Sequence, residues 1–302
     1  MQTKQITTQK TIIPIRGYLL HLTHYDPGWC MRKRSENPID LDLALEIISA
    51  VAQDNFNLLI VDCEDGLIYR THPELARRYS ITRKTLKKLL NHARKQKIEV
   101  VPKLNFSQSR YHKHNRWFRP YNGLTDSEKY WKIAFELIDE LIEIFRPARF
   151  FHIGMDEDDK RTYEQYISAI LTLRNGLKKR GLRPIVWNDT AMGGSRPWHA
   201  RKSLAAEKQI PKDVVQALWD YRNVRPETLQ RIIKEGFDVW VAPSQNPMQI
   251  LRWKQLLLRY GGKGLIMTSW IPCRPRNRLK LLTPIYTVGP IYSTPFKPIK
   301  LI

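Results

Sequence analysis

Eight short apolar runs, separated by segments with helical periodicity, restrict this 302-residue chain to few folds. The runs are residues 17–23, 57–62, 99–104, 150–153, 184–187, 214–219, 238–242 and 264–268. Helical segments are predicted between them at 40–52, 83–95, 126–145, 162–179, 226–234 and 248–260. Strands that alternate with helices form parallel sheets, and eight such units predict a (β/α)8 TIM barrel.

A doubly wound open sheet is the alternative, but no Gly-x-Gly-x-x-Gly or Walker motif follows any strand. No linker or internal repeat divides the chain, so residues 1–302 are predicted to form a single barrel domain with its core at about 15–270. The tail at 275–302 is rich in proline and weakly periodic. It therefore predicts a last helix that is short or irregular.

Acidic side chains collect where the fourth strand ends, and the carboxyl ends of barrel strands converge on one mouth. The acids are Asp156, Glu157, Asp158 and Asp159. A buried carboxylate without a partner is very costly, so this position favours a site over a core. Because neighbouring residues of a strand point to opposite faces, Asp156 and Glu157 can serve one pocket only if the chain turns there. Asp158 and Asp159 also fit a second role, as caps of the next helix.

Three tryptophans close three other strands: Trp187, Trp219 and Trp270. Indole rings at a barrel mouth can wall a sugar pocket, because the C–H faces of sugars stack on aromatic rings. The alternative is that these side chains only cap the barrel core. Paired carboxylates beside such a wall are what glycoside hydrolysis requires, one to protonate the leaving oxygen and one to stabilise charge or act as nucleophile.

The segment His152-Ile153-Gly154-Met155-Asp156-Glu157 resembles the His-x-Gly-Gly-Asp-Glu signature of glycoside hydrolase family 20, the β-N-acetylhexosaminidases. Ile15-Arg16-Gly17 resembles the Arg-Gly opening of that family's first strand, and Trp187-Asn188-Asp189 resembles its Trp-x-Glu/Asp after strand five. Trp270 stands where the family has a pocket tryptophan. The resemblance covers about residues 15–270, and the six-residue signature is its specific part.

The resemblance implies a retaining, substrate-assisted reaction on β-linked N-acetylhexosamine, without a cofactor or a metal. In that reaction Glu157 is the general acid/base, and Asp156 polarises the 2-acetamido group of the substrate. An apolar, tryptophan-walled pocket and the neighbouring Asp156 are expected to raise the pKa of Glu157. The residues expected to bind substrate are Arg16, His152, Trp187, Asp189, Trp219, Tyr221, Trp270 and Asp65.

The sequence departs from the family pattern at several supporting positions. Met155 replaces the second glycine, and Asn105 stands where an aspartate is expected after strand three, with no Pro-Gly-His behind it. Strand eight lacks the glutamate after Trp270, and strand seven lacks a tyrosine for which Tyr221 is a candidate substitute. These departures support an alternative function, a catalytically impaired barrel that binds glycans.

A metal site is the other chemical option at the mouth. Imidazole and carboxylate groups of the kind that bind hard cations occur at His21, Asp62, Glu64, Asp65 and Asp156. The three cysteines, Cys30, Cys63 and Cys273, show no metal-binding spacing, and free thiols in a reducing compartment are the simplest interpretation. No apolar export segment is visible, which predicts a cytoplasmic protein without a membrane span.

The charge of +22 is compatible with polyanionic partners such as an acidic glycan, but a solvated basic surface is the simpler explanation, because the basic residues are spread along the chain and do not form one stripe. No nucleic-acid recognition motif is present, so no nucleic-acid partner is expected. The basic residues that would meet a charged polymer lie in the loops after strands three and eight. They are Arg110, His112, Lys113, His114, Arg116, Arg119, Arg274 and Arg276.

Overall fold

The computed structural model describes residues 11–23, 37–110, 114–193 and 197–296. Eight parallel strands close into a barrel in which each strand pairs with its neighbours in sequence, so the predicted fold is confirmed. The strands are β1 (Ile15–His21), β2 (Leu58–Asp62), β3 (Glu99–Lys103), β4 (Phe150–Gly154), β5 (Arg183–Asn188), β6 (Val215–Asp220), β7 (Val239–Pro243) and β8 (Gly264–Thr268).

Eight α-helices surround the barrel in the described part of the chain. They are α1 (Leu41–Gln53), α2 (Arg83–Lys95), α3 (Glu128–Phe145), α4 (Tyr163–Lys179), α5 (Pro197–Glu207), α6 (Pro226–Lys234), α7 (Pro247–Tyr260) and α8 (Arg278–Ser293). Local sequence fixes several boundaries: the side chain of Ser127 accepts a hydrogen bond at the start of α3, and Gly261 ends α7 with φ 86°. None of the described helices is long and apolar enough to cross a membrane.

Two helices differ from the sequence prediction. Helix α8 is longer than expected, with 16 residues and with Pro284 and Pro290 inside it. Its buried apolar residues hold it against the barrel although each proline removes a backbone donor. Helix α5 carries the buried polar residues Lys202, Ser203 and Glu207, so no apolar face is visible in its sequence.

The barrel interior changes from apolar to polar toward the mouth. Its lower part is filled by residues such as Leu19, Ile60, Val101 and Phe150. One level higher, four adjacent strands carry His21, Asp62, Lys103 and His152 in direct register. This polar row lies under the loops that carry the candidate site.

Candidate active site

Strand β4 ends in a left-handed turn that presents the two acids. Gly154, Met155 and Glu157 have φ values of 69°, 78° and 48°. The charges of both Asp156 and Glu157 contribute to raising the pKa of Asp189 and of Tyr221. Both carboxylates therefore lie within electrostatic range of the same two groups, and the turn that a shared pocket requires is present.

Asn105, in the loop after β3, is built into this turn. Its amide nitrogen donates to Asp156 Oδ1 at 2.8 Å, and its Oδ1 accepts from the backbone N–H of Met155 at 3.2 Å. A Cβ on Gly154 would lie 2.1 Å from the same Oδ1, so this position needs glycine for both its backbone conformation and its space. Asn105 thus orients Asp156. It does so from the position after β3 where the family resemblance predicts an aspartate.

The next acid, Asp158, is part of the scaffold. Its Oδ2 accepts from Arg161 Nη1 at 2.7 Å, and Lys202 Nζ lies 3.6 Å from its Oδ1. The idea that Asp158 and Asp159 cap the following helix is wrong, because Thr162 caps α4 in a capping box with Gln165. Only Asp156 and Glu157 remain from the predicted cluster as candidates for chemistry.

Asp189 connects the acid turn to the aromatic wall. Its Oδ2 accepts from the backbone N–H of Glu157 at 2.8 Å, and its Oδ1 accepts from Trp219 Nε1 at 2.8 Å. Burial, followed by the negative charges of Asp156 and Glu157, raises the pKa of Asp189 well above its usual range. The site thereby favours a protonated third carboxyl beside the acid pair.

Four aromatic side chains form a continuous wall at the mouth. The ring centroids of Trp187 and Trp270 are 6.4 Å apart, and those of Trp219 and Tyr221 are 5.5 Å apart. Trp270 Nε1 donates to Tyr221 Oη at 2.7 Å and joins the two pairs. Trp187 also packs into the barrel interior, so it caps the core as well, whereas Trp270 is 37% exposed.

His152 lies beneath the turn and is fully buried. Its Nδ1 accepts from the backbone N–H of Gly154 at 3.0 Å, and its ring lies 4.6 Å from that of Trp187. Burial, helped by the nearby Lys103 ammonium, lowers the pKa of His152 well below its usual value. A neutral imidazole in this position supports the turn, which differs from the substrate contact that the sequence predicts.

Arg16 is a correction to the sequence prediction. It lies at the amino-terminal end of β1, five residues or about 16 Å of extended chain before His21 at the mouth. Its guanidinium donates to the carbonyl oxygens of Asn55 and Ile13 at 2.8 and 2.7 Å. Arg16 therefore stabilises the amino-terminal end of the barrel, opposite the mouth, and does not reach a sugar beside Glu157.

Asp65 lies in the loop after β2 and also holds structure together. Tyr79 Oη donates to its Oδ2 at 2.8 Å, and Arg77 Nε lies 3.7 Å from the same oxygen. These contacts close the loop that runs from β2 to α2. A role for Asp65 in sugar binding stays a prediction.

The acids considered for a metal site surround a lysine. Lys103 Nζ lies 2.6 Å from Asp62 Oδ2 and 3.5 Å from Glu64 Oε1. The lysine ammonium therefore occupies the position between these carboxylates in which a metal cation would have to bind. His21 Nδ1 lies 3.0 Å from the same Asp62 oxygen. Lys103 was visible in the sequence as a charged residue inside a strand, but only the closure of the barrel shows which carboxylates it neutralises.

Comparison with protein-family models and with curated proteins finds no match for the sequence. Several solved structures share the fold. A GH20 exo-β-N-acetylglucosaminidase from Vibrio harveyi, in complex with N-acetylglucosamine, is 14% identical with a TM-score of 0.67, and the match covers 94% of this chain and 55% of that one. The Flavobacterium johnsoniae chitobiase is 17% identical with a TM-score of 0.66, over 93% of this chain and 48% of that one. Dispersin B is 14% identical with a TM-score of 0.60, over 93% and 99% of the two chains.

The chain spans about half the length of the first two of these structures. At such low identity the similarity shows a common barrel fold, and it leaves the chemistry to the residues of the site.

Proposed function

We propose that the chain is a glycoside hydrolase that removes β-linked N-acetylhexosamine, as a divergent member of glycoside hydrolase family 20. The observation that supports this most directly is the turn after β4, which presents Asp156 and Glu157 beside a wall of four aromatic rings. The structures that share the fold include several GH20 β-N-acetylhexosaminidases.

In the proposed reaction Glu157 protonates the leaving oxygen and then activates water. Asp156 orients and polarises the 2-acetamido group, whose carbonyl oxygen attacks the anomeric carbon. Asn105 fixes the Asp156 carboxylate for this task through its 2.8 Å hydrogen bond. Tyr221 Oη, within electrostatic range of both acids, is the candidate donor to the acetamido oxygen in place of the tyrosine missing from strand seven.

Hydrolysis of aryl β-N-acetylglucosaminides and galactosaminides by wild type and by Glu157→Gln tests the proposal. We expect Glu157→Gln to lower kcat by roughly 10²- to 10⁴-fold, the usual contribution of a general acid/base, with an unchanged melting temperature. The decrease in kcat should be smaller for an aryl glycoside with a good leaving group, because its leaving oxygen needs less protonation. Equal activity of the two proteins on every aglycone would refute the assignment.

A barrel that binds glycans without cleaving them is the second candidate. It is favoured by Asn105 and Met155, which stand where the family pattern has an aspartate after strand three and the second glycine of the signature. Calorimetric titration of wild type with N-acetylglucosamine distinguishes the two. Binding that Trp270→Ala weakens, with no turnover of any aryl glycoside over long incubations, would favour the binding protein.

We further propose that the natural substrate is carried on a polyanionic glycan. Arg110, Arg116 and Arg119 follow β3 in the described part of the predicted basic loop, and Arg274 and Arg276 follow β8. His112 and Lys113 lie outside the described residues, as does the side chain of His114. Counterion release makes such binding weaken as salt rises, so KM for an acidic polymer should increase strongly with salt while KM for a neutral aryl glycoside stays nearly constant. Equal salt dependence for the two substrates would contradict this proposal.

A further inference from the structure

Although basic residues are spread along the whole chain, the outer face of α2 carries a local concentration of positive charge. Residues 75–98, which include this helix, contain nine lysine and arginine residues and no aspartate or glutamate. The residues that α2 buries are Leu86, Leu89, Leu90 and Ala93. Because these share one side of the helix, its charged positions face outward.

The arginine residues of α2 bind to the protein itself. Arg83 pairs with Glu140 and Glu143 of α3 at 2.6 and 2.7 Å. Arg94 donates a hydrogen bond to the carbonyl oxygen of Phe145, which ends the same helix. The planar guanidinium groups, which suit fixed acceptors, are therefore used to join α2 to α3.

The lysine residues of this segment have no such partners. We call the five exposed ones the lysine face, and they are Lys84, Lys87, Lys88, Lys95 and Lys97. None of them forms an ion pair within the part of the chain that the structure describes. Lys84, Lys88 and Lys95 follow one line along the helix, about 17 Å long at a rise of about 1.5 Å per residue. Five ammonium groups thus point to solvent from one side of the barrel.

The acids of the two flanking helices do little to cancel this charge. On α3, Asp139 pairs with Arg180 at 2.5 Å, in addition to the two glutamates that bind Arg83. On α1, Glu46 accepts from Arg278 Nε at 2.9 Å. Because these carboxylates are already neutralised, the side of the barrel around α2 is positive as a whole.

The shape and chemistry of the lysine face fit a broad anionic surface better than a nucleic acid. Helix α2 lies between α1 and α3 in the outer ring, so it cannot enter a DNA major groove about 12 Å wide. The only tyrosine, phenylalanine or tryptophan in residues 75–98 is Tyr79, which is buried, so no base can stack there. Lysine ammonium groups on flexible stems follow the moving head groups of a fluid bilayer, which present no fixed geometry.

We propose that the lysine face of α2 docks the protein on a membrane surface that contains anionic phospholipids. None of the large exposed apolar side chains of the described residues lies on α2, so the attachment is electrostatic and involves no insertion. Barrel helices run opposite to the strands, so α2 begins near the mouth and its axis lies along the membrane. The mouth then opens along the lipid surface. The inference rests on the charge and shape of α2, and it holds whether or not the proposed reaction takes place.

Sedimentation with vesicles tests the docking. Vesicles of phosphatidylcholine with about 30% phosphatidylserine are compared with vesicles of phosphatidylcholine alone in about 0.1 M salt. Wild type should bind only the anionic vesicles and should be released at about 1 M salt, where the Debye length falls to about 3 Å. The variant Lys84→Gln/Lys87→Gln/Lys88→Gln should bind roughly 100-fold more weakly, because each lysine near such a surface contributes about fivefold.

A control variant with the same change in net charge separates the lysine face from the total charge. Lys179→Gln/Lys208→Gln/Lys234→Gln alters exposed lysines at the ends of α4, α5 and α6, and it should lower the affinity by less than about threefold. Thermal melting verifies that both variants fold. Equal weakening by the two variants, or no weakening by either, would overturn the inference. So would a wild type that ignores anionic vesicles and binds a soluble polyanion such as heparin, since α2 would then serve a polymer.

Chemical footprinting of wild type gives the orientation without any substitution. Lysines are acetylated by a small water-soluble reagent with and without anionic vesicles, and the modified positions are identified by mass spectrometry. Vesicles should slow the acetylation of Lys87, Lys88 and Lys95 several-fold and leave Lys179 and Lys234 unchanged. Protection of Lys179 and Lys234, or of no lysine on α2, would show that another face meets the membrane and that the inference is wrong.

Discussion

Acids lie at the ends of several strands of this barrel, and the carboxylates at the ends of β2 and β4 have different partners. At the end of β2, Asp62 Oδ2 lies 2.6 Å from the Lys103 ammonium and 3.0 Å from His21 Nδ1. After β4, Asp156 accepts a hydrogen bond from the neutral amide of Asn105, and the backbone of Glu157 donates to Asp189. The first group is a neutralised ion pair inside the barrel, and the second is an acid pair set beside aromatic rings. A position at a strand end therefore does not by itself mark an acid as a candidate for chemistry, because the partner on the neighbouring strand decides whether its charge is neutralised.

Opposite pKa shifts accompany this difference. Burial alone would raise the pKa of Asp62, but the Lys103 charge and the contact with His21 outweigh it and hold that pKa well below its usual range. Asp189 has burial and two negative neighbours, and its pKa rises. Stability that comes from a lowered carboxyl pKa is present above the unfolded-state value of about 3.9 and is lost as pH falls. A raised carboxyl pKa has the opposite effect: the stability that it gives is lost as pH rises through the folded-state pKa.

The largest expected effect on stability comes from removing the buried ammonium group of Lys103, and it tests the difference between the two acid clusters directly. Lys103→Met leaves Asp62 and Glu64 buried beside no ammonium group, and we expect it to lower the free energy of unfolding by roughly 3–5 kcal/mol. Asp156→Asn should change it by about 1 kcal/mol or less, because the amide oxygen still accepts from Asn105. Urea unfolding at pH 7 measures the free energy of unfolding of both variants.

The double variant Asp62→Leu/Lys103→Met serves as the control. It removes both charges of the closest pair, and similar exchanges of buried ion pairs for apolar residues are often neutral for stability. It should therefore recover much of the stability that Lys103→Met loses. A Lys103→Met protein as stable as wild type would show that the two acid clusters do not differ in the way described.

The second prediction concerns the turn that presents the acid pair. Gly154→Ala forces an L-residue to adopt φ 69° and places its Cβ 2.1 Å from Asn105 Oδ1. Gly181→Ala faces a similar φ of 73° but has no atom within 4 Å of the new Cβ, so it isolates the backbone strain. We expect about 1 kcal/mol of destabilisation for Gly181→Ala and roughly 2–3 kcal/mol for Gly154→Ala.

Activity sharpens this second test, since only Gly154→Ala displaces Asn105 and with it Asp156. The hydrolytic rate should fall for Gly154→Ala and stay at the wild-type level for Gly181→Ala. Equal destabilisation by the two changes would mean that the contact with Asn105 is not tight.

Much of the fold was predictable because each strand of a parallel barrel is a nearly continuous apolar run. The strand ranges of the structure agree with the sequence within one or two residues, and α2 and α6 have the predicted bounds. Helix α5 was not predictable, because its inward residues Lys202 and Glu207 find partners on other elements. Lys202 Nζ, for example, donates to the carbonyl oxygen of Asp158 at 2.6 Å. Such long-range partners leave no periodic trace in the sequence.

The candidate site was predictable in its residue types and only partly in their contacts. Trp187, Trp219, Tyr221 and Trp270 form one wall, as residues at strand ends do in a barrel. Arg16 was misplaced because a two-residue resemblance does not specify at which end of the strand the residue lies. The function of Asn105 as a brace depends on a backbone turn with φ above zero, and no local sequence pattern announces that turn beyond Gly154 itself.

The smallest effect concerns the third carboxyl. Because the pKa of Asp189 is higher in the folded than in the unfolded protein, the folded state binds more protons, and its stability falls as pH rises between those two values. Asp189→Asn removes this dependence but also loses one of two accepted hydrogen bonds, at a cost of about 1 kcal/mol near pH 4. The stability deficit of the variant should therefore shrink as pH rises from 4 to 8. Asp213 provides the control, since Arg174 lowers its pKa and the stability that this gives is already complete above about pH 4, so the deficit of Asp213→Asn should stay constant from pH 4 to 8 and shrink only below pH 4. Urea unfolding at a series of pH values measures both slopes, and a deficit for Asp189→Asn that stays constant or grows would show that Asp189 is ionised beside the acid pair.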